Sequence, residues 1–331
     1  MRRFLLSLTI VIFILLTFST AYARRLTSVT RTRIALGTYV KITIVTDKRD
    51  EQNAGTIIDR CFTRIDELDR MFDYRPEGGA LWQFNKDKVI TREQNPELFT
   101  LIHESLLIAS RTDGYFDPTL LPIVRVWGFD TDSPHLPANK DIEKALQFVG
   151  YNKIKVEEDR IVKPEDVKLD LSGIAKGRTV DLIRDYIRGE GYENFLIDAG
   201  GDIYVSGKNA QRKLWRIAIQ DPVNKTGYRG ILEKKDIAIV TSGDYERFFI
   251  KDGRRYSHLF NPKTGFPADD LKSVTILLPD TAAADAVATA VYVMGSEKGF
   301  NFLKEHEIEG YLIFTSADGG VVSKSTPNFW K

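Results

Sequence analysis

Four clusters, three of them polar and bearing glycine and one an alanine run carrying an acid and a hydroxyl, interrupt the apolar periodicity of this chain, and they hold most of the side chains able to do chemistry. In the first, Leu169-Asp-Leu-Ser-Gly-Ile-Ala-Lys-Gly177, the acid Asp170 ends a strand-like run, small residues make a turn and Lys176 stands at the mouth of a helix. Free backbone N–H groups at a helix start, together with a lysine, suit a phosphate. The spacing is not that of a Walker loop, and a tight turn with a surface lysine is the simpler account of this cluster alone. The second, Asp198-Ala-Gly-Gly-Asp202, lies between two apparent strands. Its glycines permit positive φ and close approach by a ligand, or serve a plain hairpin loop. The third is Tyr256-Ser-His-Leu-Phe-Asn-Pro-Lys-Thr-Gly265. There His258 is a general base, a phosphate ligand, or a histidine hydrogen-bonded within a turn. In the fourth, Thr281 to Ala290, Asp285 and Thr289 are four residues apart and share one helical face. A hard cation such as Mg²⁺ takes oxygens of this kind. The alternative is an N-capping Asp and a hydroxyl bonded to its own helix.

Other chemistries find no support. No Cys/His set has zinc spacing, no G-x-S-x-G elbow occurs, and no G-x-G-x-x-G follows a strand. The one cysteine, Cys61, cannot form an internal disulfide and falls in an apolar stripe, where packing is its expected role.

The elements that must position these clusters follow from periodicity. Residues 33–46 alternate apolar and polar, as a strand does. Helical spacing marks 53–72, 96–111, 140–150 and 179–189, the last opened by the turn from Gly173 to Gly177. Short β-like runs follow at 194–197, 203–206, 215–219, 237–241, 247–251 and 274–278, punctuated by Gly and Asp. Helices return at 282–294 and 297–305, before closing strands at 311–315 and 320–323. Strands in runs, without strict β-α alternation, predict an α+β fold of mixed, largely antiparallel sheets with packed helices. No linker-like break appears, so residues 24–331 read as one composite domain.

At the N-terminus, Arg2 and Arg3 precede an apolar run from Phe4 to Phe18 that ends in Ala21-Tyr22-Ala23. This order is that of a signal peptide over residues 1–23, cut after Ala23; an uncleaved anchor is the alternative. No Cys follows the run, so a lipoprotein is not expected, and the predicted location is periplasmic or otherwise extracytoplasmic. The 47 basic and 46 acidic residues give a net charge of +1. That balance argues against a nucleic-acid partner.

Taken in order, the clusters resemble the ApbE family of FAD:protein FMN transferases over nearly the whole mature chain. The resemblance starts at Ala35-Leu-Gly-Thr38 and passes through Phe72-Asp-Tyr-Arg-Pro76, Asn85, Gly114-Tyr-Phe-Asp-Pro-Thr119 and Trp127-Gly-Phe129. It continues through LDLSGIAKG, Ile197 to Asp202, Thr241-Ser-Gly-Asp-Tyr245 and YSHLFNPKTG, and ends on the Asp285/Thr289 helix. Leu36 stands where the family often has Met, Asn261 replaces the usual Asp, and Ala288 offers no side-chain oxygen for a second metal.

The resemblance implies transfer of FMN from FAD to a Thr or Ser hydroxyl of a target protein, such as a membrane redox-complex subunit, with release of AMP. It implies Mg²⁺ held by the Gly173 carbonyl, Asp285 and Thr289. FAD would contact Leu36, Tyr74, Tyr115, Phe116, Asp117, Asp170, Lys176 and Phe260. His258 and Asp285 are the candidate catalytic residues. An FAD pyrophosphatase using water as acceptor, and a non-catalytic FAD-binding protein, are the alternatives.

Overall fold

A computed structural model describes residues 26–224 and 226–331; the expected signal peptide lies outside them. The chain opens as a hairpin. Strands β1 (Leu26–Ala35) and β2 (Thr38–Asp47) pair in register from Leu26↔Asp47 to Ala35↔Thr38. The single strand expected over 33–46 is therefore broken at Leu36-Gly37, both of positive φ (54° and 68°). A two-residue turn of this hand matches the twist of the flanking strands. Leucine is a poor resident of the left-handed region, so nothing in local sequence apart from Gly37 announces it.

Helix α1 (Glu51–Phe72) buries a stripe from Ala54 through Ile57, Ile58, Cys61, Phe62, Ile65 and Leu68 to Phe72. Burial pushes the Cys61 thiol up to about 12, which fits packing and not reactivity. Next come α2 (Ala80–Lys86), β3 (Val89–Thr91) and α3 (Pro96–Arg111). The last is capped by the Asn95 side chain, which accepts from Leu98 N at 3.0 Å, with Pro96 in the first turn. Short helices α4 (Leu121–Val126) and α5 (Asn139–Leu146) lead to β4 (Lys155–Val156) and β5 (Arg160–Val162). Helix α5 stops four residues before the expected end at Gly150. Helix α6 (Ser172–Gly189) begins seven residues before the expected 179, so the glycine-rich turn is its first turns and Lys176 lies within it. No strand precedes Asp170, against expectation.

The remaining elements are β6 (Phe195–Ala199), β7 (Asp202–Ser206), β8 (Trp215–Gln220), β9 (Tyr228–Lys234), β10 (Ile237–Gly243), β11 (Phe248–Lys251), β12 (Arg254–Ser257), β13 (Leu271–Leu278), α7 (Thr281–Met294), α8 (Lys298–Glu305), β14 (Glu309–Thr315) and β15 (Val321–Ser325). Eight strands form one antiparallel sheet in the order β1-β2-β6-β7-β10-β13-β14-β15. Alternation sends Phe195, Ile197 and Ala199 of β6 to the face covered by α1, α6 and α7. It sends Leu196 to the other face, under the β8–β9 hairpin. The α+β reading with antiparallel pairing is what the structure shows.

Helix α7 is buried almost all round, with small residues at 282, 284, 286, 288 and 290. They let α6 approach so closely that a Cβ on Gly177 would lie 2.4 Å from the Thr281 carbonyl oxygen. The N-terminus of α7 is capped from α6: Asp181 accepts from Thr281 N and Ala282 N, each at 2.9 Å. This leaves Asp285, one turn further on, free of any capping duty.

Candidate active site

The loop ends and helix starts converge on one cavity of about 860 Å³, a size that encloses a small molecule. Every site residue expected from the sequence lines it: Leu36, Tyr74, Tyr115, Phe116, Asp117, Asp170, Gly173, Lys176, His258, Phe260, Asp285 and Thr289. They come from segments more than 250 residues apart. The β1–β2 turn brings Leu36, the loop after α1 brings Tyr74, the loop after α3 brings residues 115–117, and α6 and α7 face each other across the floor.

At that floor sit two buried carboxyls, Asp202 and Asp285, and a half-buried lysine, Lys176. Lys176 Nζ lies 3.4 Å from Asp202 Oδ1, and Asp285 Oδ2 accepts from Gly177 N at 3.1 Å. The other oxygen of Asp202 is buried with no hydrogen-bond partner. Burial, then the charge of Asp285, pushes the Asp202 carboxyl well above its ordinary value, with Lys176 pulling back. Burial likewise raises Asp285, against Lys176 and the Gly177 N–H. Burial works against the Lys176 charge, but Asp202, Asp285 and Glu246 outweigh it and hold the ammonium well above its usual value. Two adjacent buried carboxyls, one with an oxygen left without a partner, offer oxygen ligands to a cation.

The oxygen set fits a hard divalent cation. A Cβ on Gly173 would lie 3.5 Å from Thr289 Oγ1 and 3.3 Å from the Phe116 ring, so the Gly173 backbone and the Thr289 hydroxyl are neighbours. Among the described residues no three His, Cys, Asp or Glu side chains converge as a metal cage. A cation here would draw on one or two carboxylates, a hydroxyl, a carbonyl, water and substrate oxygens, which is the habit of Mg²⁺. Asp202 was not among the expected metal residues. The signal was the second acid of Asp198-Ala-Gly-Gly-Asp202, and the structure separates the pair: Asp198 meets Lys41 at 3.8 Å while Asp202 is buried.

His258 Nδ1 lies 3.1 Å from the Arg247 carbonyl oxygen. Nδ1 must donate to that acceptor, which leaves the lone pair on Nε2. Burial, and then the neighbouring Arg247 and Lys176 charges acting against the Arg247 carbonyl bond, lower its pKa to about 4. The imidazole is thus neutral near pH 7. Asn261, in place of the family's Asp, accepts from Lys263 N at 2.9 Å and so still makes the turn that follows His258.

The walls divide into rings and scaffolding. The Tyr115 ring has Lys263 Nζ and Lys298 Nζ over it at 4.3 and 4.4 Å. Tyr74 lies beside Arg75, which is held by Asp73 through contacts of 2.7 to 2.9 Å. Asp117 lines the cavity, yet its carboxylate accepts from Thr119 N, Thr119 Oγ1 and Tyr151 N at 2.6 to 2.9 Å. It therefore shapes the 115–120 loop. Asp170 accepts from Ser172 N at 2.8 Å and fixes the start of α6. Sequence reasoning did not single out Arg75, Gln220, Glu246 or Arg247, all of which also line the cavity. Arg75, Glu246 and Arg247 sit in loops without periodicity, and Gln220 ends the alternating strand β8 on its exposed face.

Residues 36–312 match the ApbE family. An FAD:protein FMN transferase of Vibrio cholerae serotype O1 is 33% identical over 279 residues, covering 82% of each chain. One of Treponema pallidum is 30% identical over 329 residues, covering 91% of this chain and 89% of that protein. Among solved structures, the ApbE protein of Thermotoga maritima and the flavin transferase ApbE of Vibrio cholerae each superpose with a TM-score of 0.83. Each does so at 29% identity over 92% of this chain and 98% of the other. The match begins at the Leu36 turn and runs past the Asp285/Thr289 helix, taking in every segment that lines the cavity, and on that ground the chain belongs to the ApbE family.

Proposed function

We infer that this protein is an FAD:protein FMN transferase, and we propose that its transfer step depends on Mg²⁺ held at the cavity floor. The observation that carries the reading is the half-buried Lys176 beside the buried Asp202 and Asp285 at the base of a cavity with aromatic walls. A pyrophosphate needs cationic partners, and a flat ring needs aromatic faces. Asp285, the orphaned oxygen of Asp202, Thr289 Oγ1 and the Gly173 carbonyl would hold the metal. Bound there, Mg²⁺ would offset the pyrophosphate charge and stabilise the leaving phosphate.

The acceptor hydroxyl oxygen attacks the phosphorus on the FMN side. The bridging P–O bond breaks, and its oxygen leaves with AMP. The hydroxyl proton goes to a base, and His258 Nε2 is the candidate. Such a base contributes about 10²–10⁴-fold. A histidine held near 4 is a weak base, and the incoming phosphates would strengthen it by favouring its charged form. Lys176 faces the same oxygens as a fixed positive charge.

The acceptor we propose carries Thr or Ser and belongs to the class of membrane redox-complex subunits. Export is proposed on the order of residues 1–23. Chromatography of FAD incubated with the protein, Mg²⁺ and a candidate acceptor tests the reaction. AMP should appear with equimolar loss of FAD and little free FMN. Free FMN matching AMP would make the protein a pyrophosphatase, and bound FAD with no AMP would make it a carrier.

A further inference from the structure

Exposed apolar side chains are not scattered evenly over this molecule. The most exposed large ones are Ile34 (77%), Tyr39 (69%), Tyr228 and Ile250 (63% each) and Val223 (61%), while the others among the described residues reach 45% at most. Three of the five flank or pair with cavity-lining residues, and the other two lie three residues along the chain from one. Ile34 and Tyr39 face each other across β1 and β2, flanking the Leu36–Thr38 turn. Tyr228 is the cross-strand partner of Gln220, and Val223 lies three residues beyond Gln220. Ile250 lies three residues beyond Arg247. The β6–β7 turn closes on the first group: Gly200 lines the cavity, and a Cβ there would sit 2.3 Å from Thr38 Oγ1. Three separate hairpins that each supply residues to the lining of one cavity thus carry the most exposed apolar or phenolic side chains.

Apolar cross-strand pairing accounts for Ile34 and Tyr39 only in part, since both stay mostly exposed, and it does not reach Val223 or Ile250. Each side chain pays no burial and lies on a strand face or turn where a polar residue would serve. Clustered exposure of this kind marks an interaction surface, and tyrosine is among its favoured residues. Several charges beside the tips are already paired: Lys41 with Asp198 at 3.8 Å, Arg229 with Asp221 at 2.9 Å, Arg254 with Asp269 at 2.7 Å and Arg255 with Asp244 at 3.2 Å. A rim with internally matched charge does not select a polyanion or an anionic lipid surface.

We propose that this three-hairpin rim is the docking surface for the acceptor protein, which presents apolar side chains around its hydroxyl residue. The proposal rests on the transferase reading, because an acceptor that must deliver a hydroxyl to the cavity floor has to cover the mouth. FAD binds deeper and does not need the tips. The rim therefore sets the KM for the acceptor and not the chemistry.

The test is a chain carrying Ile34→Ser, Tyr39→Ser and Ile250→Ser together. Its control carries Leu107→Ser and Val322→Ser, which lie on α3 and on the far edge strand β15. The probe is the folded acceptor modified in the assay above. The rim variant should keep its melting temperature and its FAD affinity, and lose about tenfold or more in kcat/KM through a raised KM for acceptor. The control should match wild type. A rim variant within about twofold of wild type would overturn the proposal, as would a loss confined to kcat. So would lost binding to phosphatidylglycerol vesicles with transfer intact. A wild-type chain that cleaves FAD but modifies no protein would instead reject the transferase reading from which the rim takes its role.

Discussion

Asp285 and Asp202 carry the account at the level of single residues. The capping alternative for Asp285 fails because Asp181 already caps α7, and Asp285 points to α6 and the Gly177 N–H instead. Asp285→Asn and Asp202→Asn keep the shapes and remove the charges. Each should leave the fold intact and lower kcat by about a hundredfold or more, since a metal's stabilisation of phosphoryl charge is worth several kcal/mol. Titration of Mg²⁺ against turnover checks this; wild-type rates at low Mg²⁺ would make both acids structural. His258 gives a prediction in pH. Its ordinary value of 6.5 is lowered to about 4 in the fold, so between those values the unfolded chain binds the extra proton. The neutral imidazole therefore contributes stability above pH 6.5 that is lost as pH falls toward 4. Urea unfolding across this window should show wild type losing more stability on acidification than His258→Gln.

Among the elements, the contact of α6 with α7 decides whether the floor exists. Gly177 sits where a Cβ would meet the Thr281 carbonyl oxygen at 2.4 Å and Ala282 Cα at 2.8 Å, and its N–H holds Asp285. Gly177→Ala should push the helices apart, cost about 1–3 kcal/mol as overpacking does, and weaken the cation site. A lower melting temperature together with a raised Mg²⁺ requirement is expected; an unchanged melting temperature would mean the helices give way freely. This interface also shows what local sequence conveys. The alanine run and the glycine turn were visible, and so was the shared face of Asp285 and Thr289. That α6 starts at Ser172 was not, because Gly173 and Gly177 look like a turn until α7 is known to need their small size. The β1–β2 turn was hidden for the opposite reason. Its strands continue the same alternation on both sides, and Leu36 is held left-handed by its surroundings.

For the whole molecule, the sequence revealed the architecture and the identity of the site before it revealed the contacts. Helices at 51–72 and 96–111 and the strands of the large sheet follow from burial patterns that persist over many residues. The site's partners do not, because Lys176 and Asp202 pair only when β7 is set beside α6. The N-terminal segment is a separate matter, resting on residues 1–23 alone. N-terminal sequencing of exported protein should begin at Arg24, and a full-length exported chain would make the segment an anchor. We propose that FMN passes from FAD to a protein hydroxyl at the cavity floor. Intact-mass and peptide mass spectrometry of an acceptor co-expressed with this chain tests that most directly. One FMN in phosphoester linkage on a Thr or Ser is expected with wild type, and none with Asp285→Asn. An acceptor that stays unmodified while wild type converts FAD to FMN and AMP would contradict it.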